Sequence, residues 1–566
     1  MALRGVSFRY PGGASPALSG VDVEFRVGES VAVVGPTGGG KSTLLKVLAG
    51  LLPASGLAKL EGDRRAAPGL RCGVVFQSPD DQLVARRAWD EAAFGPRNLG
   101  LPEPEVRRRV ESALAAVGLA DRADADPETL SGGQKQRLVI AAALALEPQL
   151  LILDEPLAQL DPRGAAEVHA VLARLRAERG VALAVAEHRL GEWLTPRGTA
   201  PADRPERVVA VADGRVRLDA PVSSPETMGV LNELGLRLPV AAEVARRIPA
   251  AWSAGVRDEA ALSEWLARNP APPAAPESVP PAPAPGPEKE LWCGPPGLRP
   301  PAAPAPGPDL LAAEHVTYRY GPNGFALEDA SLSVRRGQRI ALLGANGSGK
   351  STLLALLAGL RQPHAGAVRG FGPCRGLTFQ NPDAMLIAET ALAEAAFGPR
   401  HARRLSNVEA RQRARAALAA VQLGHRADDA PLSLSRGQRL RLAVASVFSM
   451  GVDVLLLDEP TTGQDRAQIE SLLAALLGQC ASVVFSTHDV DLACAWADRA
   501  VVLVNGRVAA EGPPHELLAD AALVERAGLR RPAILELCAR LNVPACRTPE
   551  ELARRLTGGH GTGASI

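Results

Sequence analysis

The residues best suited to chemistry occur in two eight-residue stretches that combine glycines with a lysine and a serine. Gly35–Ser42 and Gly344–Ser351 both fit the pattern G-x-x-x-x-G-K-[ST]. Glycines let backbone N–H groups turn toward an anion, and a following helix directs the positive end of its dipole to the same place. We expect the lysine to reach the β- and γ-phosphates of a nucleotide and the serine to hold Mg²⁺. The predicted binding residues are Gly35, Gly38, Gly40, Lys41, Ser42 and Thr43, and Gly344, Gly347, Gly349, Lys350, Ser351 and Thr352.

Pairs of carboxylates follow apolar runs downstream of both stretches. The run Leu150–Leu153 precedes Asp154 and Glu155, and the second half carries Asp458 and Glu459. Because the carboxyl ends of parallel strands face the ligand crevice, the first acid of each pair is placed to bind Mg²⁺. The second acid is placed to polarise a water for attack on the γ-phosphate. A cluster that merely caps a helix is the plainer alternative, but the upstream phosphate loop disfavours it.

Single polar residues at strand ends also recur in both halves. Gln77 and Gln380 end apolar runs and can reach Mg²⁺ or an attacking water, while His188 and His488 could contact the γ-phosphate. Taken alone, each would be an ordinary turn or surface residue. Their recurrence in the same order favours roles in catalysis.

Tyr10 and Tyr320 stand at nearly the same distance before the lysine of each stretch. Either could be an ordinary strand aromatic. The recurrence favours stacking on a nucleobase.

A further repeated motif, L-S-G-G-Q, opens an apolar helix that runs to Leu146. Ser131 stands where an N-cap belongs, and the helix N-terminus is a second anion site. The second copy has Arg436 in place of a glycine, which could add charge near a phosphate or hinder closure; both remain open. The predicted signature residues are Ser131, Gly132, Gly133, Gln134, Ser435, Gly437 and Gln438.

These motifs require a strand–loop–helix order, which predicts an α/β fold with two tandem nucleotide-binding domains, each with a helical subdomain and a small helical appendix. We place the domains at residues 1–220 and 309–515 and the appendices at 221–268 and 516–566. Repetition of the appendix suggests a shared dimer or regulatory surface. Residues 269–308 are rich in proline and alanine, as expected of a semi-extended linker.

Composition narrows the function classes. Lys+Arg numbers 63 and Asp+Glu 62, so the net charge of +1 gives no support for nucleic-acid binding over the whole chain. No apolar run approaches the roughly 18 residues of a membrane span, and no signal peptide is visible. Seven cysteines without a C-x-x-C pair indicate neither a zinc site nor a disulfide framework. We therefore expect a cytoplasmic protein.

Taken in order, the phosphate loop, strand-end glutamine, L-S-G-G-Q, L-L-I-L-D-E-P and strand-end histidine resemble the nucleotide-binding domain of ATP-binding cassette (ABC) proteins. The resemblance covers residues 1 to about 220 and about 310 to 515. It implies ATP and Mg²⁺, with head-to-tail pairing of two domains around each ATP. One composite site would use Tyr10, Lys41, Ser42, Gln77, Asp154, Glu155 and His188, closed by Ser435, Gly437 and Gln438. The other would use Tyr320, Lys350, Ser351, Gln380, Asp458, Glu459 and His488, closed by Ser131, Gly133 and Gln134.

Finer features resemble the ATPases of energy-coupling-factor importers, which take up vitamins, vitamin precursors and transition metals. They include F-Q-S-P-D-D-Q-L from Phe76, A-F-G-P from Ala93 and E-H-R-L from Glu187. This resemblance implies docking through residues 78–100 and 381–400 to a membrane transport subunit, together with a small substrate-binding membrane protein. It also implies a peripheral location on the cytoplasmic face of the membrane. The transported substrate cannot be predicted from this chain.

Two alternatives lack membrane partners. A soluble two-cassette translation factor acting on ribosomes would be expected to have a long charged helical pair between its domains, whereas this segment is rich in proline and alanine. A DNA-repair ATPase would be expected to have a coiled coil or zinc-binding cysteines, and neither is visible.

Overall fold

The protein forms two compact units, Met1–Pro239 and Val240–Thr461 with Ala467–Ile566. The structure, a computed structural model, describes residues 1–11, 15–53, 58–157, 160, 162–187, 205–236, 238–269, 309–321, 324–370, 375–461, 466–477 and 482–557. His188 and nearly all of the predicted linker lie outside these residues. The predicted domain boundaries therefore stay predictions.

The first unit contains two sheets. Its strands are β1 (Ala2–Arg9), β2 (Leu18–Glu24), β3 (Ser30–Val34), β4 (Lys59–Arg65), β5 (Cys72–Val75), β6 (Leu150–Asp154), β7 (Ala182–Ala186), β8 (Arg207–Ala212) and β9 (Arg215–Pro221). One sheet is antiparallel with order β2-β1-β4, and the other has order β5-β6-β7-β3-β8-β9. Only the β8–β9 pair of the larger sheet is antiparallel.

The register of the larger sheet brings the functional loops together. Strands β3, β6 and β7 are buried along their whole length, as continuous apolar strands in a parallel sheet should be. Ala186 pairs with Asp154 on one side and with Val33 on the other. The phosphate loop, the acidic pair and the loop after β7 therefore leave the sheet at one edge.

Helices cover this sheet. They are α1 (Lys41–Ala49), α2 (Ala88–Asn98), α3 (Glu103–Ala116), α4 (Gly132–Leu144), α5 (Pro162–Arg179) and α6 (Pro225–Glu233). The apolar face of α1 packs between the two sheets, where Leu44 and Leu45 meet Phe8 and Val33 in one core. Burying each such side chain contributes about 1.5–3 kcal/mol, so this core fixes where the phosphate loop begins its helix.

The second unit repeats this plan. Its strands are β10 (Asp309–Gly321), β11 (Gly324–Arg335), β12 (Arg339–Leu343), β13 (Ala365–Gly370), β14 (Arg375–Thr378), β15 (Val454–Leu457), β16 (Ser482–Ser486), β17 (Arg499–Val504) and β18 (Arg507–Gly512). The sheet orders are β11-β10-β13 and β14-β15-β16-β12-β17-β18, which match the first unit strand for strand. The expected α/β class and its duplication are confirmed.

The second unit also contains helices from both appendices. In chain order its helices are α7 (Val240–Arg246), α8 (Pro249–Ser253), α9 (Glu259–Arg268), α10 (Lys350–Leu357), α11 (Ala391–His401), α12 (Asn407–Ala420), α13 (Arg436–Phe448), α14 (Arg466–Leu477), α15 (Val490–Trp496), α16 (Pro514–Leu517), α17 (Ala521–Arg526), α18 (Ala533–Arg540) and α19 (Pro549–Leu556). The first three come from the first appendix, and the last four follow the second cassette.

Helix α7 packs against α18 and α19 of the second appendix. Val244, Ala245 and Ile248 are buried in the same apolar core as Leu535 and Leu552. Ion pairs border this core: Arg247 with Glu550, and Arg540 with Glu259 at 2.7 Å. The two appendices thus share one core, although the predicted linker and the whole second cassette, residues 269–515, lie between them in the sequence.

Candidate functional site

In the first unit the phosphate loop wraps around its lysine. Lys41 is 5% exposed, and its Nζ donates hydrogen bonds to Gly35 O at 2.8 Å and Pro36 O at 3.0 Å. Lys350 does the same in the second unit, with Gly344 O at 2.9 Å and Ala345 O at 3.0 Å. The ammonium group is therefore held at the mouth of each loop, where a phosphate would sit.

Glycines are required in this loop for steric reasons. Gly35 has φ of 152° and Gly40 has φ of 107°, conformations that other residues avoid. A Cβ at Gly40 would lie 2.8 Å from Ala17 O, and one at Gly349 would lie 2.5 Å from Ala326 O. Glycine at these positions therefore lets the loop pass close to the neighbouring backbone.

The acidic pairs lie beside the loops. Asp154 and Glu155 are 8% and 7% exposed, and burial together with the charge of Glu155 raises the pKa of Asp154. Burial likewise raises the pKa of Asp458, which accepts hydrogen bonds from Ser351 Oγ at 3.0 Å and Ser486 Oγ at 2.6 Å. A nearby positive charge would favour the ionised form of both carboxylates.

Both second acids have a strained backbone. Glu155 has φ of 51° and Glu459 has φ of 49°, in the left-handed region that L residues seldom occupy. Such strain costs on the order of 1–2 kcal/mol and concentrates at functional sites. The two units therefore share this backbone conformation at the residue that follows the buried aspartate.

Each second acid is hydrogen-bonded to another predicted site residue. Glu155 Oε2 accepts a hydrogen bond from Gln77 Nε2 at 2.6 Å. Glu459 Oε2 is hydrogen-bonded to His488 Nδ1 at 2.9 Å, with both side chains buried. The structure thus brings Gln77 to Glu155 and His488 to Glu459, whereas Gln380 lies exposed at the end of its strand.

The residues present fit Mg²⁺ bound together with a nucleotide. Asp154 Oδ1 is buried without a hydrogen-bond partner among the described residues, and Ser42 is hydrogen-bonded to the same carboxylate. No group of three or more His, Cys, Asp or Glu within the described ranges could hold a metal alone. One carboxylate and one hydroxyl suit Mg²⁺ that takes its other oxygens from phosphates and water.

The two tyrosines stand next to their phosphate-loop helices. Tyr10 OH is hydrogen-bonded to Thr43 Oγ1 at 3.3 Å, and Tyr320 OH to Thr352 Oγ1 at 3.1 Å. Both rings are exposed, at 40% and 63%, which leaves a face for a base. Sequence reasoning missed Arg361, whose guanidinium lies 4.9 Å from the centre of the Tyr320 ring.

Each L-S-G-G-Q copy forms a capping box. Ser131 Oγ accepts from Gln134 N at 3.3 Å while Gln134 Oε1 accepts from Ser131 N at 2.9 Å. Ser435 and Gln438 repeat both bonds at the start of α13, with Arg436 as its first residue. The expected N-cap is confirmed, and the serine and glutamine of the motif each have a local structural role.

Glu187 is a further residue that the sequence pattern did not single out for a role. It follows β7, is 2% exposed, and its Oε1 accepts from Leu157 N at 3.2 Å, two residues after Glu155. The corresponding residue of the second unit is Thr487, whose Oγ1 accepts from Asp489 N at 2.9 Å. The signal available in the sequence was an acid at the end of an apolar run, directly before the predicted histidine.

Exposed apolar side chains follow each strand-end glutamine. In the first unit these are Val84 and Phe94, at 67% and 54% exposed, and in the second Ile387 and Phe397, at 68% and 43%. Each sits within or next to a segment predicted to dock to a partner. Exposed apolar side chains on these segments would suit contact with a partner protein.

A buried glutamate holds the loop in each of these surfaces. Glu91 Oε2 accepts from Val84 N and Ala85 N, both at 2.8 Å. Glu394 Oε2 accepts from Ile387 N at 2.8 Å and Ala388 N at 2.7 Å. The backbone behind the exposed side chain is therefore fixed in both units.

Comparison with known proteins agrees with this geometry. The family model described as ABC transporter matches residues 18–158 and 327–462. A candidate ABC transporter ATP-binding protein of Methanosarcina mazei is 35% identical over 96% of this chain and 94% of its own length. The candidate HMP/thiamine import ATP-binding protein YkoD of Bacillus subtilis is 30% identical over 94% of this chain and 95% of its own.

The chain therefore belongs to the ABC transporter ATP-binding family, with two fused cassettes, and this family hydrolyses ATP. The solved structure of RNase-L inhibitor superposes over 91% of this chain and 92% of its own length with a TM-score of 0.56 and 20% identity, a likeness of fold alone. Within the described residues, no helix is long and apolar enough to cross a membrane.

Proposed function

We propose that this chain is the ATP-hydrolysing subunit of an importer of the energy-coupling-factor type. It would couple ATP binding and hydrolysis to the uptake of a vitamin, a vitamin precursor or a transition-metal ion. The relative named as an import ATP-binding protein, aligned over nearly its whole length, supports this class. The observation that carries the proposal is the pair of exposed apolar surfaces around Val84 and Ile387, each on a rigidly held loop.

Binding of ATP follows from the phosphate loops. The backbone N–H groups and Lys41 or Lys350 hold the β- and γ-phosphates, and the exposed ring of Tyr10 or Tyr320 stacks on the base. Ser42 with Asp154, and Ser351 with Asp458, hold Mg²⁺, which when bound neutralises charge on the phosphate oxygens. The ionised form of the buried aspartates is favoured by that positive charge.

Hydrolysis uses the strained glutamates. Glu155 and Glu459 accept a proton from water while the water oxygen attacks the γ-phosphorus and the bond to the β–γ bridging oxygen breaks. Gln77 orients the carboxylate of Glu155, and His488 orients that of Glu459. By analogy, Gln380 would orient Glu459 in the second unit, and His188 would orient Glu155 in the first.

We further propose that the cassettes pair head to tail, so that Ser435, Gly437 and Gln438 close the first site and Ser131, Gly133 and Gln134 the second. Closure would follow ATP binding and opening would follow hydrolysis. Arg436 makes the two sites chemically unequal, and we expect unequal rates. An integral membrane transport subunit and a substrate-binding membrane protein would receive the motion at the cytoplasmic face of the membrane.

The decisive experiment is affinity purification of the chain from detergent-solubilised membranes of its own host, followed by mass spectrometry. We expect one or two small integral membrane proteins to co-purify. A Val84→Asp/Ile387→Asp double variant should reduce their recovery several-fold while its ATPase activity persists. Val408→Asp on α12 is the matched control, since Val408 is similarly exposed, at 77%, and lies outside both surfaces.

Two results would reject this function. Recovery of ribosomal proteins without a membrane subunit would support the translation-factor alternative. Equal loss of the membrane proteins in the control and the double variant would show that the two surfaces do not dock them.

A further inference from the structure

The phosphate loop of the second unit makes a contact with the second appendix. Ala345, the residue after the first glycine of the loop, donates its backbone N–H to Ala527 O at 3.0 Å. Ala527 is the C-cap residue directly after α17, and the next residue, Gly528, has φ of 61°. A Cβ on Gly528 would lie 3.0 Å from the Cβ of Ala345, so glycine permits this close approach.

The contact holds one peptide group of the loop from both ends. The Gly344–Ala345 peptide offers its carbonyl to Lys350 Nζ at 2.9 Å and its N–H to Ala527. Hydrogen bonds at the two ends of a peptide polarise each other and fix its plane. The appendix therefore constrains the peptide that positions Lys350.

The first unit cannot make this bond. Pro36 occupies the position of Ala345 and has no N–H, while its loop holds Lys41 with the same pair of carbonyls. An N–H at this position is thus not needed to form a phosphate loop. In the second unit the N–H of Ala345 bonds to the appendix instead.

The same appendix segment reaches the helix after His488. Asp491 on α15 is 8% exposed; its Oδ1 accepts from Ala533 N at 2.9 Å and its Oδ2 from Arg530 Nη2 at 3.2 Å. We call residues 527–533 the bridge segment. It connects the phosphate loop to the helix that begins two residues after the histidine paired with Glu459.

We propose that the bridge segment is a positioning element for the second ATP site, so that nucleotide binding there is coupled to the state of the second appendix. This rests on the proposed function, because it requires ATP at the second phosphate loop. Coupling is reciprocal: ATP at this loop stabilises the bridge segment, and loosening the bridge segment weakens ATP binding. The first site lacks the coupling because of Pro36.

The test uses the full chain with Lys41→Ala, which confines nucleotide binding to the second loop. A fluorescent ATP analogue is titrated into this parent and into the same chain with Ala345→Pro. Proline should be accommodated at position 345 because the first loop has Pro36 at the equivalent position. We expect Kd to rise about threefold to tenfold, the range for loss of one hydrogen bond. A Kd within twofold of the parent overturns the inference.

Two more variants separate positioning from general damage. Arg530→Ala removes the ion pair with Asp491 and should raise Kd in the same direction. Arg540→Ala removes only an exposed pair with Glu259 in the same appendix and should leave Kd unchanged. If Arg540→Ala weakens binding as much as Ala345→Pro, the effect is general and the inference fails.

Amide hydrogen exchange distinguishes coupling to ATP from a purely structural role of the bridge segment. ATP should slow exchange in residues 527–533 of the parent and have no such effect in Ala345→Pro. Equal protection in both overturns the inference.

Adding Lys350→Ala to the parent must abolish nucleotide binding. If binding persists, the second loop is not the site and the proposed function fails; if it is lost while Ala345→Pro has no effect, only the coupling fails.

Discussion

At the scale of single residues, the two phosphate-loop sites share a plan in which a buried glutamate follows the buried aspartate. Glu155 contacts a glutamine and Glu459 a histidine, and both have left-handed backbone. The site predictions therefore begin with these two glutamates.

We predict that both glutamates act as general bases. Glu155→Gln and Glu459→Gln should each lower steady-state ATP hydrolysis, to different residual rates, and the double variant should lose about 100-fold or more. Phosphate release under excess ATP measures this. The two-site mechanism is wrong if either single substitution leaves the rate unchanged.

Glu187 should position the loop after Glu155. With Glu459→Gln silencing the second site, Glu187→Ala leaves the buried N–H of Leu157 without its acceptor, and we expect kcat to fall roughly tenfold at constant KM. Glu187→Gln keeps an oxygen in place and should restore most of the rate. A change in KM alone would contradict the positioning role.

At the scale of elements, much was predictable because the signals are local. The phosphate loops, the capping boxes at Ser131 and Ser435, and the buried strands before Asp154 and Asp458 all follow from a few consecutive residues. Helices α9 and α19 begin after Asp258 and Thr548, whose side chains cap them. The partners of Glu187 and Asp491 were not predictable, because those contacts join segments 30 and 42 residues apart.

The shared core of the appendices was also beyond local reasoning. Ile248, two residues after α7, lies in this core, so Ile248→Ala should remove packing between this segment and the helices α18 and α19, at a cost of about 2–4 kcal/mol. We expect faster amide exchange in residues 533–556, compared with an Arg268→Ala control on the exposed end of α9. Unchanged exchange in those helices would show that α7 does not support them.

At the scale of the whole molecule, the compact units do not coincide with the two halves of the sequence repeat. Helices α7–α9 belong to the second unit, although they precede the predicted linker. The chain therefore contributes part of one unit's core from each side of residues 269–308.

We predict that cutting this linker does not separate the two pieces. With a specific protease site placed within residues 280–285, both fragments should elute together on size exclusion after cleavage, because α7 stays buried against α18 and α19. Adding Ile248→Asp should let them separate. Separation of the cleaved parent chain would contradict the shared core.

The placement of α7–α9 has a consequence for how such a chain can be inherited and engineered. A gene broken at the linker would encode a carboxyl-terminal product with an uncovered apolar face, since Val244, Ala245 and Ile248 would be translated elsewhere. Chimaeras that exchange one half with a homologue would mismatch the same face. The viable crossover point lies before residue 240, so a chimaera should keep each compact unit whole rather than each half of the sequence repeat.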